Sequence, residues 1–378
     1  METNPELIAA RASGIPLWER ARMLGAVSSW YAEALGVSGT HGKTTTSAMI
    51  TQILYGAGLE PSAVIGGKLR AIGGYGRCGA SQRFVYEACE FRDTFLETHP
   101  DIAIILNIDN DHMEYFKTIE NAMKSYTAFA RKAKTVLYNG RDPRTVRAME
   151  GARSAERQFY SFGWVPSCDF YPANIKHHGG MERSFDWMMR GECLCTITLH
   201  IPGDHNILNA VAAAAGAYLL GATPAEISEE LPKFQGAGRR FEVLGKTKNG
   251  VTVADDYAHH PAELRATIRA AKELDFKHVW AVFQPFTFSR TYILLEDFAS
   301  ALSEADHVVL SPIMGSREVN TYEIYAEDIA EKVPGAVALP SFEAMADYVH
   351  EHAEPGDLVI TLGCGDVYKC ARMILHHE

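Results

Sequence analysis

A chain of 378 residues exceeds what one hydrophobic core usually serves, so at least two domains are expected. Hydrophobic residues at 47% and charged residues at 22% exclude a disordered chain and a coiled coil, and a net charge of −11 argues against a general nucleic-acid surface. No run reaches about eighteen apolar residues and no basic stretch precedes an apolar one at the start. Neither membrane insertion nor a secretory leader is expected, and the chain reads as cytosolic.

Residues 1–30 carry Pro5, Pro16 and a helical stretch over about 17–26, too little for a domain. The apolar run 34–37 then enters Gly39-Thr40-His41-Gly42-Lys43-Thr44-Thr45-Thr46, which opens a helix to about Ala57. This is the pattern of a phosphate cradle. Glycines let backbone N–H groups reach phosphate oxygens, Lys43 supplies a cation, the Thr44 hydroxyl suits Mg²⁺, and the helix adds its positive end. A standard P-loop has glycine where Val37 stands, so the loop is a variant form.

Apolar runs follow at 62–65, 84–89 and 102–108, alternating with helical sequence, which implies a largely parallel sheet with ligands at the strand carboxyl ends. Two of those ends are loaded, one with Glu87 and Glu90, the other with Asp109, Asp111 and His112. Carboxylates suit Mg²⁺, and an imidazole suits a second, Mn²⁺-tolerant site. Residues 142–201 read as a small antiparallel extension, where Cys193 and Cys195 fit one face of a strand better than a zinc site with His200. The seven cysteines include no CxxC pair, and reduced thiols are expected.

Asp204, His205, Asn206 and Asn209 then start an alanine-rich helix, with an Asp or Asn cap as the ordinary reading. Glycines 236 and 238 before Arg239 and Arg240 mark a hinge. After it, strands near 251–254, 279–283, 308–310, 336–339 and 358–362 predict a second doubly wound domain. Its loaded strand end is Asp255-Asp256-Tyr257-Ala258-His259-His260-Pro261, where either aspartate could equally cap the following helix. Gly363-Cys364-Gly365 lacks a third glycine and reads as packing.

Several of these segments, in this order, resemble the Mur ligases: GTHGKTTT, YEACEFRDTFL, NIDNDHMEYF, PGDHNILN, DDYAHHP and the run from Phe283-Gln284-Pro285 to Ser289-Arg290-Thr291. The resemblance is strongest to the branch that joins L-alanine to UDP-N-acetylmuramate in peptidoglycan precursor synthesis. It implies a P-loop-type central ATPase domain at 31–236 and a C-terminal Rossmann-like domain at 237–378. Residues 1–30 would be the remnant of, or linker from, an N-terminal UDP-binding domain that this chain is expected to lack.

By the same resemblance Gly39, Thr40, His41, Gly42, Lys43, Thr44 and Thr45 hold ATP, Asn206 and Asn209 face the adenine, and Asp256 completes the nucleotide site. Glu90 shares a metal with Thr44, and His112 holds a second one. Lys43, Arg240, His260 and Arg290 assist the chemistry. Cys89 and Arg92 stand where many members have acids, which leaves the roles of Glu87 and Asp93 open. The implied reaction passes through an acyl phosphate. A murein-tripeptide recycling ligase and an ATP-binding module without ligase activity are the competing readings.

Overall fold

Two sheets organise the computed structural model, which describes residues 4–377. The first contains β1 (Glu33–Ser38), β2 (Ser62–Leu69), β3 (Gly74–Arg77), β4 (Arg83–Glu87), β5 (Ile102–Ile105), β6 (Thr135–Asn139), β7 (Gln158–Phe162), β8 (Phe170–His177), β9 (Arg183–Met189) and β10 (Glu192–Leu199). Their order is β10-β9-β8-β7-β6-β5-β1-β4-β2-β3. The second sheet has the order β11-β12-β16-β13-β14-β15, from β11 (Glu242–Lys246), β12 (Thr252–Asp256), β13 (Val279–Phe283), β14 (His307–Leu310), β15 (Val337–Ala338) and β16 (Leu358–Leu362).

The central strands are parallel and carry unbroken apolar runs because helices cover both faces. Leu35 and Val37 face one core with Met49, Ile53 and Val211, while Ala34 faces the other with Tyr126 and Phe129. The period-two alternation of a strand feeds two cores from β1 alone. Helix Lys43–Gly56 is buried almost all round because the alanine-rich helix Asp204–Leu219 lies against it. Small side chains permit that approach. The second sheet is likewise packed on both faces, by Leu264 and Ile268 on one side and Met345 and Val349 on the other.

The expected α/β architecture is present, with differences at the edges. The segment read as an antiparallel extension opens with a helix, Pro143–Ala152, and a strand, β7, parallel to β6; β8 pairs parallel with β7, and β9 and β10 then continue the same sheet antiparallel. A bulge between Cys193 and Cys195 breaks the regular alternation there, leaving Cys193 exposed and Cys195 half-buried. Edge strand β11 was not expected, since its burial is too slight to mark it in sequence. Helices Pro5–Ala12 and Arg20–Ser28 precede β1, the first with no buried residue. No helix among the described residues is long and apolar enough to cross a membrane.

Candidate active site

The loop after β1 turns through Gly39 (φ 144°) and Gly42 (φ 88°) into helix Lys43–Gly56. A Cβ on Gly42 would stand 2.6 Å from Asn209 Oδ1, so both backbone shape and space require glycine there. The segment after β5 holds the loop. His41 N–H donates to Asn107 Oδ1 (2.8 Å), Asn107 Nδ2 donates to the His41 carbonyl (3.0 Å), and Asp109 N–H donates to Thr40 Oγ1 (2.9 Å). Lys43 Nζ bonds the carbonyls of Gly39 and Thr40 and reaches Glu90 Oε1 at 3.1 Å. Burial pulls the ammonium's pKa down, and the Glu90 carboxylate more than reverses this, so Lys43 stays charged.

The acid beside Thr44 is Glu87, not the expected Glu90. Thr44 Oγ1 donates to Glu87 Oε2 at 3.1 Å, and Gly66 N–H donates to the same carboxylate. The backbone explains the exchange. Glu87 closes β4 in register with Val37, immediately before the loop, whereas Glu90 lies three residues on in a turn that carries it back to Lys43. A Cβ on Gly66 would lie 2.8 Å from both Glu87 oxygens and 3.0 Å from Thr44 Oγ1. Hydroxyl and carboxylate thus share a small oxygen-lined cradle, whose donor set fits a hard cation.

His112 lines the same cavity as Glu87 and has its own neighbours. It adopts φ 55°, lies against Phe91 with the rings tilted at 42° (centroids 4.6 Å) and places Nε2 3.6 Å from Asp111. Thr44, Glu90 and His112, expected as metal ligands, therefore have different partners. Among the described residues no three His, Cys, Asp or Glu side chains form a metal-holding group.

At the second sheet, Asp256 supports a turn. Its two oxygens accept the N–H groups of Phe241 and Ala258, each at 2.7 Å, and burial raises its pKa to about 6. Asp255 accepts from Arg239 Nε (2.8 Å) and Thr361 Oγ1 (2.6 Å), while Arg239 Nη2 donates to the Gly363 carbonyl (2.6 Å). Arg240 lies over the Tyr257 ring at 5.1 Å. His260 caps helix Pro261–Lys272 through Nδ1, and burial, assisted by the nearby His41, lowers its pKa.

One acid unmarked in the sequence reading joins the two halves. Glu263, in the first turn of that helix, lies 3.3 Å from His41 Nδ1 and accepts the His259 N–H at 3.1 Å. Burial works against its charge, but His259 and His41 hold its pKa well below the usual carboxylate range. Burial likewise lowers His41, yet Asp109 and Glu263 raise it from 6.5 to about 9, so it is an imidazolium at neutral pH. Asp109 is itself paired with Arg144 at 2.7 Å. A second bridge runs from Arg290 Nη2 to Asp111 Oδ1 at 3.1 Å. A first-turn glutamate looks like any helix-start residue, so only its long-range partner distinguishes Glu263.

Two cavities flank the loop. One of about 430 Å³ is lined by His41, Thr45, Asn206, Asn209 and Thr267. One of about 910 Å³ is lined by Lys43, Thr44, Glu87, His112 and His259. Gly42, Arg240 and Glu263 border both. Inside the smaller one Asn206 Nδ2 donates to the Pro202 carbonyl (2.7 Å) and Asn209 Nδ2 to Asn206 Oδ1 (3.1 Å).

Residues 37–217 match the Mur ligase middle domain, and residues 239–365 match the Mur ligase glutamate ligase domain. The chain is 41% identical over 377 residues to the UDP-N-acetylmuramate–L-alanine ligase of Alkaliphilus metalliredigens, covering 98% of this chain and 81% of that one. It is 39% identical to the enzyme of that name from Acetivibrio thermocellus, covering 98% and 80%. The crystal structure of the UDP-N-acetylmuramate–alanine ligase MurC from Thermotoga maritima superposes with a TM-score of 0.83 at 25% identity, over 99% of this chain and 82% of that one. A murein peptide ligase from Psychrobacter arcticus shares the fold, with a TM-score of 0.72 at 22% identity, over 99% and 83%. The variant phosphate loop, the loaded strand ends and these matches agree: the chain belongs to the Mur ligase family.

Proposed function

We propose that the chain joins L-alanine to UDP-N-acetylmuramate at the expense of ATP. The observation that carries this reading is the phosphate loop standing between two cavities that share Gly42, Arg240 and Glu263. ATP would enter the smaller cavity, with adenine near Asn206 and Asn209 and its phosphates on the loop. The carboxylate of the sugar's lactyl group would lie in the larger one.

A carboxylate oxygen attacks the γ-phosphorus, ADP departs, and an acyl phosphate forms. The amine of L-alanine then attacks the acyl carbon, loses its proton, and inorganic phosphate leaves with the C–O bond electrons. Lys43 exchanges its loop carbonyls for phosphate oxygens and neutralises the charge developing there. Arg240 and Arg290 orient anionic groups from the opposite sheet. Thr44 and Glu87 would hold Mg²⁺, which screens phosphate charge when bound, with Glu90 orienting Lys43. His112 is assigned to a second, Mn²⁺-tolerant position.

The proposed division is an ATP-binding domain at 31–236 and a C-terminal domain at 237–378. A hinge between them is supported by left-handed backbone at Gly236, Arg239 and Phe241. A cytoplasmic location suits an enzyme using ATP and a nucleotide sugar. Phosphate release with ATP and UDP-N-acetylmuramate, assayed with L-alanine, with a murein tripeptide and with no acceptor, tests the reading. Release dependent on L-alanine is expected. Dependence on the tripeptide, or none on any acceptor, would overturn it.

A further inference from the structure

Helix Pro261–Lys272 walls the smaller cavity through Ala262, Glu263, Ala266 and Thr267, and both of its ends are tied to the body of the first sheet. At its start Glu263 meets His41. At its end Glu273, the residue following the last turn, accepts a hydrogen bond from Arg183 Nη2. Arg183 stands on β9 in the antiparallel part of the first sheet, with a side chain only 2% exposed and Nε 3.7 Å from Asp204. Between the two ties the surfaces touch, since a Cβ on Gly203 would lie 3.1 Å from that of Ala270.

Swinging the second sheet away would break the Arg183–Glu273 pair and leave Asp204, 3.7 Å from Nε, as the acid facing the guanidinium. The Glu273 side chain is 44% exposed, which limits what the pair can contribute. We infer that Arg183 and Glu273 are positioning residues for the nucleotide. They form a latch at the end of the helix remote from the phosphates and hold the cavity wall at the separation that grips ATP. The inference rests on the nucleotide assignment above. It goes beyond it because no motif contains either residue, and neither lines the cavity.

Calorimetric titration of the 378-residue chain with Mg-ADP tests the latch. Wild type, Glu273→Gln and Glu273→Arg are compared, with Lys43→Ala as the control for phosphate-loop binding. The Kd should rise about threefold to fivefold in Glu273→Gln and about tenfold in Glu273→Arg, from the loss and then the reversal of a half-exposed pair. Thermal midpoints should stay close together, because Glu273 sits at the surface. Added salt should weaken wild-type binding more than that of Glu273→Gln. Asp204→Asn, farther from Arg183, should shift Kd less than Glu273→Gln does.

Wild-type Kd values in both Glu273 variants would overturn the latch, as would a lowered midpoint with an unchanged Kd. Absence of Mg-ADP binding by wild type, or binding insensitive to Lys43→Ala, would instead defeat the nucleotide assignment. The two failures are therefore distinguishable.

Discussion

The carboxyl ends of β1 and β12 face the same pair of cavities, yet they are built on different plans. After β1 the working groups lie within eight consecutive residues, and the loop's own glycines, carbonyls and helix start position them. After β12 the acids mainly hold the protein together. Asp256 anchors two backbone N–H groups, and Asp255 joins Arg239 to Thr361. The loop after β1 uses its internal bonds to hold its own turn, with Lys43 on the Gly39 and Thr40 carbonyls and Asn107 on His41. A strand end that shapes a hinge must satisfy its buried charges within the protein. Density of polar residues alone does not separate the two plans.

The contrast is sharpest for Lys43 against Asp255. Lys43→Ala should reduce phosphate release by about 10³-fold, the scale for losing a charged donor at a developing phosphoryl charge, while far-ultraviolet circular dichroism stays native. Turnover near wild type would break the comparison. Asp255→Asn should do the reverse. It leaves Arg239 without its carboxylate and should lower urea stability by about 2–3 kcal/mol. A purely kinetic defect with unchanged stability would place Asp255 among the reacting groups.

Glu87 and Glu90 refine it within the first sheet. Glu87→Gln should cut activity by about 10²-fold and shift the Mg²⁺ requirement upward, because the cradle with Thr44 loses its charge. Glu90→Gln should leave that requirement near wild type, since its partner is Lys43. Mg²⁺ titrations of the two variants decide between them, and swapped profiles would restore the assignment expected from sequence.

The smallest effect concerns the bridge joining the two plans. The pKa of His41 is raised from 6.5 to about 9 in the folded chain. The stability it adds is therefore fully present below pH 6.5 and lost as the pH rises through about 9. The thermal midpoint of wild type should fall by about 2–4 °C more than that of His41→Gln between pH 7 and pH 9.5. Parallel curves would remove His41 from the bridge.

Strained backbone gathers at the same seam. His112, Arg239, Phe241 and Thr287 all have positive φ, and Thr287 is β-branched, for which that region is unfavourable. Thr287 precedes the helix Phe288–Ile293 that carries Arg290 to Asp111. The strained turn thus sets the direction of a bridging arginine.

The order of apolar runs and turn residues determined the two-sheet α/β plan, because strands buried on both faces read as continuous hydrophobic segments. The turn through Gly39 and Gly42 into the helix that Lys43 opens was legible for a similar reason, since its geometry follows from local backbone. Which acid stands beside Thr44, and that Glu263 meets His41 while Arg183 meets Glu273, was decided only by tertiary structure. A glutamate three residues along a turn, or in the first turn of a helix, carries no mark of the group it will face. Such pairs join segments 40 to more than 200 positions apart. Their energy depends on burial and distance, which a linear pattern does not encode.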